Sequence, residues 1–418
     1  MLDPAKLGNT TGSVPLGETT FRMIGPLTDL RIIDASTVLA GPLIGQIMAD
    51  FGADVVKIEH PRTGDSLRGH GAQKDGHGLW WKVVGRNKRC IGLNLSLSEG
   101  AEVFLELAAA ADVVIENFRP GTLERWGLGW ETLSARNPGL ILCRVTGFGQ
   151  TGPYARRPAF GTLIEAMSGF AHMTGEADRP PTLPPFGLAD SVAGISGVAA
   201  VMMAVHHRHS TGRGQVVDLS ILETLAAALG PHVITWDQTG DIAQRSGNRS
   251  SNNAPRNTYL TADGCWVAVS SSADAVARRT IELVGRGDLV SEPWFATGSG
   301  RAEHADEIDA ALSSWIGERP LAQVVDAFAA AEVAAAPVYD AAQYASDPQV
   351  QAREAITTVD DPDLGPIRMQ NVLFALSSSP GAIRHTGRDL GADTDEILKE
   401  AGMSAERIDG LRAKGVLA

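Results

Sequence analysis

From Leu30 onward, short β-branched runs alternate with stretches of helical periodicity, and this alternation restricts the chain more than any other feature. Leu30–Ala35, Val55–Glu59, Val113–Glu116, Leu140–Val145 and Val216–Leu219 read as buried strands, and Lys88-Arg89-Cys90-Ile91 reads as another. Leu43–Phe51, Ser98–Ala111, Thr122–Asn137 and Phe160–Phe170 carry helical patterns between them. Strands separated by helices are joined by crossovers, so the sequence predicts an α/β fold built on a doubly wound, Rossmann-like parallel sheet. The usual Gly-x-Gly-x-x-Gly phosphate turn is missing, which argues against an ordinary dinucleotide site.

The 418 residues suffice for two or three domains. Residues 1–26, rich in Gly, Thr and Pro, read as an N-terminal extension, and residues 27–237 as the first part of a large domain. The polar stretch 238–257 reads as a linker, and 258–338 as a smaller α/β domain with a strand at Trp266–Ser270 and helices near 273–285, 303–316 and 320–331. Residues 339–418 are expected to return to the large domain.

A net charge of −13 argues against nucleic-acid and anionic-membrane partners, so an anionic ligand would need a local basic patch. Cys90, Cys143 and Cys265 lie far apart in strand-like surroundings and read as buried free thiols, which fits a reducing cytoplasm. No charged-then-apolar signal pattern opens the chain, and the apolar helix expected at 191–205 reads as too short to span a bilayer. The expectation is a cytoplasmic protein without a membrane partner.

Several side chains are candidates for chemistry. Asp190, in Pro184-Pro185-Phe186-Gly187-Leu188-Ala189-Asp190-Ser191, stands at the start of that helix, either as its N-cap or as an ionised nucleophile in the field of the helix dipole. Arg86, Lys88 and Arg89 form the densest basic cluster, and Arg119 and Arg125 flank the Pro120-Gly121 turn; these are solvated loops or phosphate-binding cations. Glu165 is a surface group or an acid/base residue. His206-His207-Arg208-His209 closes a helix without carboxylate or thiolate companions at ligand spacing, so no metal site is expected.

Ala40-Gly41-Pro42, Asp50-Phe51-Gly52-Ala53-Asp54, Asn87-Lys88-Arg89, Glu116-Asn117-Phe118-Arg119-Pro120-Gly121, Gly147-Phe148-Gly149-Gln150-Thr151-Gly152-Pro153-Tyr154 and Thr211-Gly212-Arg213-Gly214-Gln215 follow one another in this order. Together they resemble the class III CoA-transferase family, which includes formyl-CoA transferase and the α-methylacyl-CoA racemases. The resemblance runs from about Leu27 to the C-terminus. It implies transfer of CoA from an acyl-CoA thioester to a free carboxylic acid through acyl intermediates on Asp190, in an interlocked homodimer. CoA would be a substrate, with no permanently bound cofactor. Asn117, Phe118 and Arg125 match CoA-contacting positions of formyl-CoA transferase, as do Leu93, Asn94, Leu95 and Ser96, and Val145, Thr146, Gly147 and Phe148; the cations Lys88, Arg89 and Arg119 complete the expected CoA site. The Gly147-Phe148-Gly149 turn is the expected oxyanion cradle, and Gly247 and its neighbours an expected lid. Leu39, His60, Thr146 and Phe148 depart from that enzyme, which has glutamine, arginine, lysine and tyrosine there.

The run Phe160–Phe170 looks like transferases acting on small dicarboxylates. The alternatives are an acyl-CoA racemase, whose second base is a histidine where this chain has Ala159-Phe160-Gly161, and a catalytically silent CoA-binding subunit.

Overall fold

The structure, a computed structural model, describes residues 25–418, so the expected extension lies outside the described residues except for its last two positions. Six strands form the main sheet: β1 (Arg31–Asp34), β2 (Asp54–Glu59), β3 (Lys88–Gly92), β4 (Val113–Glu116), β5 (Ile141–Thr146) and β6 (Val216–Ser220). Their order is β3-β2-β1-β4-β5-β6, with every neighbouring pair parallel. β2, β4 and β5 are buried throughout, because helices cover both faces.

Helices α1 (Ala40–Asp50), α2 (Ser98–Ala109), α3 (Gly161–Met167) and α4 (Leu188–Thr211) lie between these strands, and α5 (Ile221–Ala228) and α6 (His232–Thr239) follow β6. One core holds α1 and α4 against the sheet through Ile44, Met48, Ala193 and Val201. The opposite core holds α2 through Val103 and Phe104. Two expected helices are broken at glycine. Gly127 (φ 74°) interrupts 122–137, and Gly169 (φ 98°) interrupts 160–170; both adopt the left-handed conformation that ends a helix. Conversely, α4 outruns the expected 191–205. It runs for 24 residues, and an 18-residue stretch of it has a mean hydropathy of 1.8, so it is long and apolar enough to cross a membrane by length and composition; here it is packed against α1 and β5.

A separate core gathers Ala254, Tyr259, Val267, Ile281, Leu312 and Phe328. It is built from strands β7 (Arg256–Leu260), β8 (Trp266–Ser270) and β9 (Ala335–Pro337) with helices α7 (Asp274–Leu283), α8 (Ala305–Gly317) and α9 (Leu321–Ala330). Beyond it, α10 (Thr394–Glu400) and α11 (Ala405–Ala413) return to the large sheet and join the core that holds α2, through Ile397, Leu398, Ile408 and Leu411.

Candidate active site

The strand order reverses between β1 and β4, and the loops leaving the carboxyl ends of these two strands part to form a crevice, the usual ligand position in a doubly wound sheet. Asn117, one residue beyond β4, ties the two loops together. Its Oδ1 accepts the Thr37 amide at 2.8 Å and its Nδ2 donates to the Thr37 carbonyl at 2.7 Å. Val38 follows with φ 66°, a strained conformation for a β-branched residue, and its amide donates to Asp65 Oδ1 at 3.0 Å.

The resulting cleft has a volume of about 220 Å³. Thr37, Val38 and Leu39 form one wall, Asn117, Phe118, Arg119 and Pro120 a second, and Val145, Thr146 and Gly147 border it from β5. Arg157, Ala159, Phe160 and Gly161 complete it beside Asp190. Gly161 is required by close approach, since a Cβ there would lie 2.7 Å from Asp190 Oδ2.

Asp190 is not the helix cap. α4 begins at Leu188, so Asp190 sits in the first turn, and its carboxylate bonds none of the free amides. Glu165 takes that role instead: it is 1% exposed, and its Oε1 accepts the Ala189 amide at 3.1 Å. Asp190 is thereby left without a hydrogen-bond partner among the described residues. Burial, and then the negative charge of Glu165, push its pKa up to about 6, which leaves it largely ionised at neutral pH. Thr146 adds a second open group, a buried hydroxyl with no hydrogen-bond partner among the described residues.

The expected CoA contacts divide. Asn117, Phe118, Arg119, Val145, Thr146 and Gly147 meet at the cleft with Asp190. Lys88 and Arg89 are corrections. The Lys88 ammonium is wholly buried, 2.8 Å from Asp34 Oδ2 and 2.7 Å from the Pro42 carbonyl, and shares Asp34 with the equally buried Lys57. Burial alone would raise the pKa of Asp34, but Lys57 and Lys88 hold it below its ordinary value. Arg89 pairs with Asp54 at 2.7 Å and Glu400 at 2.8 Å, and the neighbouring Arg86 pairs with Asp50 at 2.6 Å. Among the described residues, the charges of this basic run are taken up by acids of the chain itself.

Leu93 and Leu95 are buried in the core, and Leu93 and Asn94 bond the backbone at Glu59 and Val416. With Ser96, they do not line the cleft. Arg125 folds back onto Gly121 O and Thr122 Oγ1, and Phe148 turns edge-on to Tyr154. Gly247 is not at the cleft either; its amide bonds Gly175 O. Among the described residues, the group whose ligand atoms could share one ion is His77, Asp363 and Asp389, not the histidines at 206–209, and none of these lines the cleft.

Residues 27–394 match the sequence pattern of CoA-transferase family III. The chain belongs to that family. It is 42% identical over 394 residues to a succinyl-CoA–D-citramalate CoA-transferase of Chloroflexus aurantiacus, covering 94% of this chain and 98% of that one. A succinate–glutarate CoA-transferase of Agrobacterium fabrum is 33% identical over 90% of this chain and 95% of its own. A CaiB/BaiF family protein from Brucella suis has a similar solved structure, with a TM-score of 0.80, 32% identity, and coverage of 90% of this chain and 100% of that chain. The protein is thus a family III CoA-transferase. Its cleft is bordered by one cation that spacing did not reveal, the exposed Arg157, since nothing in Ala155-Arg156-Arg157-Pro158 indicates which arginine borders it.

Proposed function

We propose that this transferase moves CoA between an acyl-CoA and a small carboxylic acid by way of Asp190. The observation that carries the reading is a partly buried, unpartnered carboxylate facing the crevice at the switch point of the sheet. Its oxygen attacks the thioester carbonyl, the C–S bond breaks, and CoA leaves as thiolate, giving a mixed anhydride. The thiolate then attacks the aspartyl carbonyl; the C–O bond breaks, the first acid departs as carboxylate, and an Asp190-CoA thioester remains. An acceptor carboxylate runs both steps in reverse. Every nucleophile arrives and every leaving group departs as an anion, so no base is needed. In this reading the backbone amide of Gly147 and the open Thr146 hydroxyl, both at the cleft, meet developing oxyanions, and Arg119 meets CoA.

The names of the relatives, one pairing succinyl-CoA with D-citramalate and the other succinate with glutarate, support a small dicarboxylate as substrate. A homodimer is part of the same proposal. Helix α6 buries no residue while exposing Val233, Ile234 and Trp236, and α4 exposes Met203, surfaces that a second copy would cover. Free thiols at Cys90, Cys143 and Cys265 support a cytoplasmic setting.

Incubation with succinyl-CoA and quenching with hydroxylamine should place a hydroxamate on Asp190. Asp190→Ala should lose transfer with its circular dichroism unchanged, and retained transfer would refute the mechanism.

A further inference from the structure

We propose that Arg157 binds the distal carboxylate of a dicarboxylic acyl group while the proximal carboxyl carbon is bonded to Asp190. This rests on the acyl-transfer reading and assigns the residue that selects the acid.

Arg157 lines the same cleft as Asp190. Its guanidinium lies over the ring of Tyr154, with Cζ 3.7 Å from the centroid, and Tyr154 in turn meets Phe148 edge-on at 5.8 Å. Phe148 packs against the core beneath. This stack orients the cation through its face and leaves its in-plane N–H donors open, the geometry that suits bidentate capture of a carboxylate.

The guanidinium also has no acidic partner among the described residues. Arg157 is exposed at the cleft mouth, so it is the seating on the Tyr154 ring, with the donors left free of any acid, that suits it to a ligand carboxylate. Its position favours the acid over CoA. Arg157 is four residues from Gly161, the residue packed against Asp190 Oδ2, so their Cα atoms lie within about 14 Å of each other. The other cation of the cleft, Arg119, leaves β4 beside Asn117 on the wall assigned to CoA.

The test compares isotopically labelled succinate with butyrate as acceptors from succinyl-CoA, using the full-length protein. Butyrate carries a methyl group where succinate carries its distal carboxylate, and the shared donor cancels in the ratio of kcat/KM values. The wild type should prefer succinate. Arg157→Gln should lower the succinate-to-butyrate ratio about tenfold or more, the scale of a charge-assisted hydrogen bond, through a raised KM for succinate. Arg157→Lys should recover part of the preference. An unchanged ratio in Arg157→Gln would overturn the proposal, as would equal losses for both acceptors with a raised KM for succinyl-CoA, which would assign Arg157 to the CoA phosphates. A wild-type protein that converts neither labelled acid to its CoA thioester from any acyl-CoA would refute the acyl-transfer reading itself, and this proposal with it.

Discussion

Glu165 places a second carboxylate behind Asp190: it is buried, bonded to the amide of Ala189 one residue before the nucleophile, and has no cation to neutralise it among the described residues. The two acids divide the work of the helix terminus. Glu165 satisfies a free amide, and Asp190 keeps its oxygens for the cleft. Their repulsion favours any state in which Asp190 is neutral, and the acylated states are neutral.

Activity and stability should therefore respond to pH in opposite directions. The Asp190 pKa rises from 3.8 unfolded to about 6 folded, so the folded state binds the proton more tightly. Stability from this group is greatest below about pH 4 and falls as pH rises through 6. The shift of about 2 units corresponds to about 3 kcal/mol at full value, less with partial solvent screening. Asp190→Asn should be more stable than wild type by about 1–3 kcal/mol at pH 7.5, with the gap closing near pH 4. Wild-type kcat/KM should fall below pH 6 as the nucleophile protonates. Urea unfolding at the two pH values reads the first effect, and equal stability of both proteins at pH 7.5 would contradict it.

Glu165→Gln isolates the charge from the hydrogen bond. The glutamine oxygen still accepts the Ala189 amide, so the helix start survives, but the neighbouring negative charge is gone. The acidic limb of the kcat/KM profile should move to lower pH, with little change in melting temperature. A profile that stays in place would show that burial alone sets the Asp190 pKa.

Lys88 and Arg125 should separate structure from binding. Lys88→Ala leaves Asp34 facing only Lys57 inside the sheet and should cost about 3–5 kcal/mol, the scale for breaking a buried ion pair. Arg125 is exposed and, among the described residues, its side chain bonds only its own turn, so Arg125→Ala should leave the melting temperature within a degree or two; if it reaches the CoA phosphates, as the resemblance implies, CoA affinity should drop about tenfold. Melting curves and CoA titration of both variants decide the matter. A stable Lys88→Ala protein with weakened CoA binding would restore the phosphate role to Lys88.

These variants also mark what the sequence made legible. Apolar runs such as Ile141–Thr146 announce strands because both faces are buried. The family segments placed Asn117, Thr146 and Asp190 at one crevice because each ends a strand or begins a helix there. The Lys88-Arg89 cluster misled because a strand sends alternate side chains to opposite faces, where each found an acid 54 or 35 residues away in sequence. No local pattern reports such pairings. The Glu165 bond to Ala189 spans 24 residues and was hidden for the same reason.

The enzyme should not racemise its substrates. Inverting an α-carbon needs a base on each face of the thioester, because a single carboxylate returns the proton to the side it came from. Asp190 can serve one face. Phe160, where the racemases carry histidine, borders the cleft with 70% of its surface exposed, and a phenyl ring carries no proton. Among the described residues lining the cleft, the other ionisable side chains are Arg119 and Arg157, which stay protonated and cannot act as bases. A 2-methylacyl-CoA incubated with the enzyme in deuterium oxide should keep its configuration and its α-hydrogen through many transfer turnovers. Inversion with deuterium uptake at a rate near that of transfer would mean that a base outside this lining, such as His172, reaches the α-carbon, and the proton-shuttle role of Asp190 would then displace the nucleophilic one.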